Sequence, residues 1–285
     1  MKKVLSIIVS YNFEPWLTKC LDSLLHSTYP TDIFVVDNAS SDHTVARIRQ
    51  DYPQVILHES STNLGFGRAN NIGFDYAIAN EYDAVFLVNQ DAWLHPACLQ
   101  HLMQEDYDSN VGIISPMHYD GTGLQLDEGF AGYVNQEQMD LDDFAVPFVN
   151  AAFWLIPIAV LKEVGQFSPI FYHYGEDSDY ANRIQHHGLK IMVNTKAIAY
   201  HDRQTRKAVS SAQFFKREFI YFLTEYANVN HSFPKAFGYG VLAPIKKAFQ
   251  RPSTALYHSF TSYLSVAFQV FAKTAAVIQT RKRNN

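Results

Sequence analysis

Four short apolar, β-branched runs mark the first third of the chain, at residues 4–9, 33–37, 54–58 and 84–88. The intervals between the first of them hold segments with helical spacing, such as Trp16 to Leu25 and Ala46 to Arg49. That alternation predicts an α/β fold with a parallel sheet and crossover helices. Ligands of such sheets sit at the carboxyl ends of the strands. Polar residues fall there: Ser10-Tyr11-Asn12 after the first run, Asp37-Asn38-Ala39-Ser40-Ser41-Asp42 after the second, Asn89-Gln90-Asp91 after the fourth.

A loop with Asn63, Gly65 and Gly67 leads into Arg68-Ala69-Asn70-Asn71-Ile72-Gly73, a turn opening a helix whose backbone can approach a phosphate. Phe148 to Leu161 is apolar but contains Pro157, and it falls short of the ~20 residues that span a bilayer. It reads as a buried strand followed by a helix. Tyr119 to Phe144 is polar, acidic and glycine-bearing, the pattern of a mobile insertion or an acceptor-side loop. The start, with its basic pair and apolar run, has the outline of a signal peptide. Tyr11-Asn12-Phe13-Glu14 interrupts it before a usable cleavage site, so a first buried strand is expected.

With 285 residues, 47% of them apolar, the chain can bury one large core, or one core and a smaller appendage, and is not a disordered protein. Cys20 and Cys98 show neither CxxC nor metal spacing, so buried thiols are expected, compatible with a reducing compartment. Charge divides the chain more sharply. From Asp202 onward thirteen Lys and Arg face three acids, a net of +10, which leaves −15 for residues 1–201 against −5 overall. A basic tail rich in Phe and Tyr fits either an anionic surface or a helical lid folded on its own acidic domain. No nucleic-acid signature accompanies it, so membrane is the preferred surface. Ala255 to Ile278 is long enough to span a bilayer, yet His258, Gln269 and Lys273 suit a helix lying in the interface better, flanked by Lys246-Lys247 and Arg281-Lys282-Arg283.

The densest chemistry lies at residues 171–183, where Glu176, Asp177 and Asp179 crowd into four positions behind an aromatic run. Crowded carboxylates repel one another, a pattern for a group held to take a proton or face a cation. Acids also suit a helix start, and Tyr180, Ile184 and Gly188 fit a short amphipathic helix closed by glycine. Both readings hold together.

Val9-Ser10-Tyr11-Asn12, Val35-Val36-Asp37-Asn38-Ala39-Ser40, Asn63 to Asn71, Asn89-Gln90-Asp91, Tyr174-Gly175-Glu176-Asp177-Ser178-Asp179 and His201, in that order, resemble family-2 glycosyltransferases of the rhamnosyltransferase-like branch. The resemblance covers about the first 200 residues and not the tail. It implies a GT-A fold, Rossmann-like, with a mixed, mostly parallel sheet flanked by helices, and a C-terminal helical extension beside it. The division expected is a nucleotide-sugar-binding catalytic domain over 1–204 and a helical tail over 205–285. It further implies an inverting transfer from a nucleotide diphosphate sugar, rhamnose among the candidates, to a saccharide or lipid-linked acceptor in cell-surface polysaccharide synthesis. A divalent cation, Mg2+ or Mn2+, is expected, as is a cytoplasmic location at the inner face of the plasma membrane.

On this resemblance Asp177 is the base that activates the acceptor hydroxyl, with Glu176 tuning it or holding the acceptor. Asp179 is expected to be helix-terminal or surface acidity. Asp91 and His201 are the metal ligands; Asn89 replaces the first acid of the common DxD pattern, and Gln90 stands where the branch often has Pro. Asp37 is expected at the nucleobase or ribose and Tyr11 on the base, with Ser10, Asn38, Asn63 and Asn89 in the same donor site. Arg68 would meet the diphosphate or support Asp91, while Asn71 would orient the loop. Of Trp154, Phe171, Tyr172 and Tyr174, which could line an acceptor site, at least half are expected in the core. A nucleotidyltransferase or an aspartyl-phosphate phosphatase on a similar sheet is disfavoured, because Ser10-Tyr11-Asn12-Phe13-Glu14 carries neither a Gly-rich basic loop nor DxD. A non-catalytic membrane-surface or nucleotide-binding protein is the other alternative.

Overall fold

The computed structural model describes residues 1–104, 107–203, 210–250 and 259–284. In its first part β1 (Val4–Ser10), α1 (Leu17–Leu25), β2 (Asp32–Asp37), α2 (Thr44–Asp51), β3 (Ile56–Glu59), α3 (Phe66–Ala79) and β4 (Ala84–Val88) alternate as the apolar runs predict. β1 pairs in parallel with β2 on one flank and β4 on the other, and β2 pairs in parallel with β3. The chain thus leaves β1 in one direction and returns for β4 on the opposite side. That reversal opens a crevice at the strand carboxyl ends. Successive side chains of a strand point to opposite faces, so Leu5 and Ile7 enter one core with Phe34 and Val36, while Val4 and Ile8 enter a second with Ile33 and Val35.

The second part contains β5 (Ala92–Leu94), α4 (Cys98–Gln104), β6 (Val111–Asp120), α5 (Glu128–Ala131), α6 (Gln136–Met139), β7 (Asp143–Val146), β8 (Phe153–Pro157), α7 (Ile158–Val164), α8 (Glu176–His186) and β9 (Lys190–His201). The sheet runs β3-β2-β1-β4-β8-β6-β9-β5, with β7 also on β9. β8 is antiparallel to both β4 and β6, whereas β6 and β9 are parallel. One register matters most for the site: β5 pairs antiparallel with β9 so that Ala92 faces His201, which brings Asp91 beside that histidine. Cys20 and Cys98 are buried free thiols, as expected.

The polar stretch from Tyr119 to Phe144 is more ordered than its composition suggests. It carries α5 and α6, a bridge between Tyr119 and Leu126, and a capping box at Asn135 and Gln138. It also buries Asp127 and Phe130.

The C-terminal part comprises α9 (Ser211–Ala227), α10 (Phe233–Phe237), a π-helical turn at Gly238–Leu242, α11 (Ala243–Phe249), α12 (Phe260–Ala272) and α13 (Thr274–Asn284). These helices bury their own cluster, including Phe222, Tyr226, Val241, Tyr263, Val270 and Val277, together with Phe171 from the loop before α8. The basic residues do not all face outward. Arg281 is buried and donates to the carbonyls of Asn228 and His231, and Lys247 pairs with Glu218 at 2.6 Å. Arg281 is therefore a structural plug rather than a flank of an interfacial helix. The expected boundary at 204/205 and the first residues of the segment from Ala255 lie outside the described residues. Among the described residues no single helix is long and apolar enough to cross a membrane; α12 and α13 meet that test only as a pair bent by 54°.

Candidate active site

At the end of β2 the Asp37 carboxylate accepts hydrogen bonds from Ser10 Oγ at 3.0 Å, Ser40 Oγ at 2.5 Å and Ser40 N at 3.0 Å. Both Asp37 and Ser10 are buried. Expected in the donor site, Asp37 at its nucleobase or ribose, they are absent from the crevice lining and hold the β1 and β2 ends together. Asn38 reaches the wall and pins the glycine loop: its Nδ2 donates to Gly65 O at 3.2 Å, and its Oδ1 accepts from Leu64 N at 2.8 Å. Asn63 Oδ1 accepts from Gly65 N at 2.9 Å, and Tyr172 Oη donates to Asn63 O at 3.1 Å. Gly65 has φ +79°, and a Cβ there would stand 1.8 Å from Tyr172 O, so only glycine lets these two loops meet.

Asn71, expected to orient the glycine loop, exchanges two 3.0 Å hydrogen bonds with the backbone of Phe167 and so ties α3 to the segment before α8. Arg68, expected at the diphosphate or beside Asp91, instead makes the same tie: its guanidinium donates to Pro169 O at 2.9 Å and its side chain is outside the crevice lining. Gln90, unassigned in the sequence, clamps Tyr11: Tyr11 N donates to Gln90 Oε1 at 2.7 Å, and Gln90 Nε2 donates to Tyr11 O at 3.2 Å. The exposed Tyr11 ring is thereby fixed at the crevice mouth.

Asp91 Oδ1 lies 3.2 Å from Nε2 of the buried His201. Asn89 Nδ2 is 3.4 Å from the same nitrogen, and Arg203 Nε donates to it at 3.2 Å. A carboxylate oxygen and an imidazole nitrogen thus stand side by side, flanked by Asn89 and Arg203. His201 Nδ1 is buried with no hydrogen-bond partner, 3.8 Å from Asp127 Oδ2. This donor set fits a divalent cation between Asp91 and His201, with the remaining positions left to ligand oxygens and water. Among the described residues no group of three or more His, Cys, Asp or Glu side chains forms a metal cage.

Gly175 precedes the first residue of α8 and follows Tyr174; both have positive φ, +91° and +70°. This tight reversal sends the three carboxylates three ways. Asp179 is buried on the core side and accepts from Ser168 Oγ at 2.6 Å and Arg183 Nε at 3.1 Å, so it is neither surface acidity nor a ligand. Glu176 is 5% exposed and its Oε2 has no hydrogen-bond partner. Burial first, then the neighbouring Asp177 charge, push its pKa up to about 7. Asp177 is partly exposed; burial raises its pKa, opposed by the backbone N–H of Ser178, which donates to Oδ1 at 2.8 Å.

Three cavities meet at these residues. One of about 360 Å³ is lined by Tyr11, Asn38, Asn63, Asn89, Asp91 and Tyr172 among others. A second, about 440 Å³, shares Phe66, Asn89, Asp91 and His173 with it and adds Glu176, Asp177, His201 and Arg203. The third, about 940 Å³, shares Tyr174 and Asp177 with the second and is walled by α9. Trp154 and Phe171 are core residues, while Tyr172 and Tyr174 are exposed at these walls. Three charged groups escaped the sequence reading. Asp127, from the supposedly featureless insertion, meets Arg203 Nη1 at 3.2 Å. Lys216 of α9 is the only Lys or Arg lining the first cavity among the described residues. Only the clustering of basic residues after position 202 signalled the last two.

A family model described as glycosyl transferase family 2 matches residues 6–165, more than half of the chain. The N-acetylglucosaminyl-diphospho-decaprenol L-rhamnosyltransferase of Mycobacterium tuberculosis is 25% identical over 236 residues, 70% of this chain and 77% of that protein. Among solved structures, TarS 1-349 of S. aureus superposes with a TM-score of 0.63 at 16% identity, covering 95% of this chain and 80% of that one. A mannosyltransferase from Pyrobaculum calidifontis, solved with GDP-Man and Mn2+, gives 0.55 at 19% identity, covering 96% and 75%. At such identities the likeness shows a shared fold, GT-A. Together with the strand-end residues and the carboxylates of α8, these matches show that the chain belongs to glycosyl transferase family 2 and is a rhamnosyltransferase-like glycosyltransferase.

Proposed function

We propose that the protein moves a sugar, rhamnose being the first candidate, from a nucleotide diphosphate donor to a saccharide or lipid-linked acceptor with inversion at the anomeric carbon. The observation that carries this reading is the position of Asp177 on the wall shared by the cavity of Asp91 and His201 and the larger groove beside α9. The nucleoside would occupy the cavity of Tyr11, Asn38 and Asn63. Its diphosphate would lie between Lys216 and Arg203, next to Asp91 and His201. A bound Mg2+ or Mn2+ would neutralise charge on the departing diphosphate.

Asp177 takes the proton of the acceptor hydroxyl as that oxygen bonds to the anomeric carbon, and the bond to the diphosphate oxygen breaks with its electron pair. Glu176, largely protonated below neutrality, there spares Asp177 a second full charge beside it. The relative from M. tuberculosis, named for an N-acetylglucosaminyl-diphospho-decaprenol acceptor, supports a lipid-linked substrate and cell-surface polysaccharide synthesis. A thermal-shift screen of dTDP-, UDP- and GDP-sugars, with and without Mn2+ or Mg2+, tests the reading. Stabilisation by one donor class, enhanced by cation, is expected; no donor binding across the panel overturns it.

A cytoplasmic enzyme resting on the inner face of the plasma membrane is the location we propose. Phe260, Leu264, Phe268 and Phe271 recur at helical spacing on α12, the three phenylalanines exposed, with Lys246, Lys273 and Lys282 exposed on the same group of helices. That stripe suits a helix lying on an anionic bilayer. Sedimentation with anionic vesicles should retain the wild-type chain and lose a Phe268→Ser, Phe271→Ser variant; equal retention removes the membrane proposal.

A further inference from the structure

We propose that the groove beside α9 is an acceptor site built for a saccharide of two or more units, with Tyr174 and Tyr221 as its stacking platforms. The inference rests on the transfer reading above. At about 940 Å³ the groove is more than twice either neighbouring cavity. It stands at the upper end of the roughly 300–1,000 Å³ of small-ligand sites, with room for more than one pyranose ring. It starts at Asp177, so a chain seated in it presents one end to the base.

Its lining has the chemistry of a sugar site. Tyr174 is 57% exposed and Tyr221 58% exposed, and both face this groove. Exposed aromatic faces cost free energy in water, and the C–H face of a sugar covers them while its hydroxyls stay free to bond. Asn182 and Gln213 supply amides that both donate and accept, and Glu225 and Arg217 supply charged partners for hydroxyls. A polyprenyl tail would need a continuous apolar wall, and this wall alternates polar with apolar residues. Tyr174 is held at φ +70°, a conformation that is costly for non-glycine residues and that persists where surroundings enforce it. The constraint is local: Gly175 packs so closely on Ile220 of α9 that a Cβ would stand 2.8 Å from Ile220 Cγ2. The stacking ring, the base and α9 are thus fixed as one unit. Tyr221 and Gln213 belong to α9, so the C-terminal helices supply part of the wall that reads acceptor length.

Saturation-transfer NMR on the full chain, with methyl glycosides of rhamnose, glucose and N-acetylglucosamine as mono-, di- and trisaccharides, tests the inference without any donor. Di- and trisaccharides should receive saturation strongly and monosaccharides weakly. Tyr221→Ala and Tyr174→Ala should each weaken the signal roughly fivefold or more, while Tyr221→Phe keeps it. Thermal shifts with nucleoside diphosphates should be the same in all four proteins, which separates loss of the groove from loss of fold. Equal saturation of mono- and trisaccharides, full signal in either alanine variant, or binding only of a polyprenyl diphosphate lipid would overturn it. A chain that binds trisaccharides but no nucleotide sugar would sink the transfer reading and leave the groove standing.

Discussion

Arg183 and Asp179, one helical turn apart on α8, meet at 3.1 Å with side chains only 1% and 2% exposed. The rest of the guanidinium is spoken for, donating to Val164 O at 2.8 Å and Gln166 O at 2.9 Å. Asn284 of α13 donates to Ser168 Oγ at 3.0 Å, and that hydroxyl donates to Asp179, so the last helix ends on the same network. Breaking a buried pair by removing one partner leaves an uncompensated charge, which costs about 3–5 kcal/mol. Asp179→Ala should therefore lower the denaturant midpoint sharply, whereas a reactive-site role would spare stability and abolish transfer.

Asp177→Asn should behave in the opposite way. The amide is isosteric and accepts no proton, so donor affinity and unfolding temperature should stay near wild type while turnover falls about 10²–10⁴-fold. Steady-state kinetics beside a donor titration measures both. Unchanged turnover would move the base to another residue.

Glu176 makes stability depend on pH in a definite direction. Its folded pKa of about 7 is raised above the ordinary 4.5, so the unfolded chain releases this proton first and the folded chain holds more protons across that window. Stability from this group is then lost as pH rises from about 4.5 to about 7 and levels off above. Glu176→Gln removes the loss. Relative to wild type, the variant should gain on the order of 2–3 kcal/mol between pH 4.5 and pH 8, read by chemical unfolding at each pH. A constant difference would show that the carboxyl titrates normally.

Lys216 is expected to recognise phosphate and nothing else of the donor. Lys216→Ala should weaken nucleoside diphosphate binding about tenfold, with Lys216→Arg recovering most of it, since a charge-assisted hydrogen bond contributes ~1.5–3 kcal/mol. Binding of the bare nucleoside should not change. Calorimetry at two salt concentrations would show the wild-type preference for the diphosphate shrinking as salt rises.

The strand ends were legible because β-branched apolar runs followed by Asp and Asn name both an element and the place where it stops. Asp37 shows the limit of that inference. Residue type and position placed it at the right strand end, but whether its carboxylate points into the crevice or back toward Ser10 and Ser40 is a rotamer choice that spacing does not encode. Arg68 failed for a related reason: a long side chain has many acceptors within reach, and the Pro169 carbonyl, 101 residues away, captured it. Asp127 and Arg203 are paired across 76 residues, with no local pattern to betray them. The basic tail was visible as charge, while its private core and the burial of Arg281 were not.

The close packing of Gly175 on Ile220 bears on how this enzyme could be re-engineered. The C-terminal helices meet the rest of the chain at Gly175 on Ile220, at Phe171 and at Asn284 on Ser168, so they can be treated as an exchangeable cassette with a few fixed anchor points. Chimaeras that carry another family member's helices should keep a working base when a side chain shaped like Ile220 meets the glycine. A bulkier residue at that spot would turn Tyr174 and Asp177 away from both sugars at once.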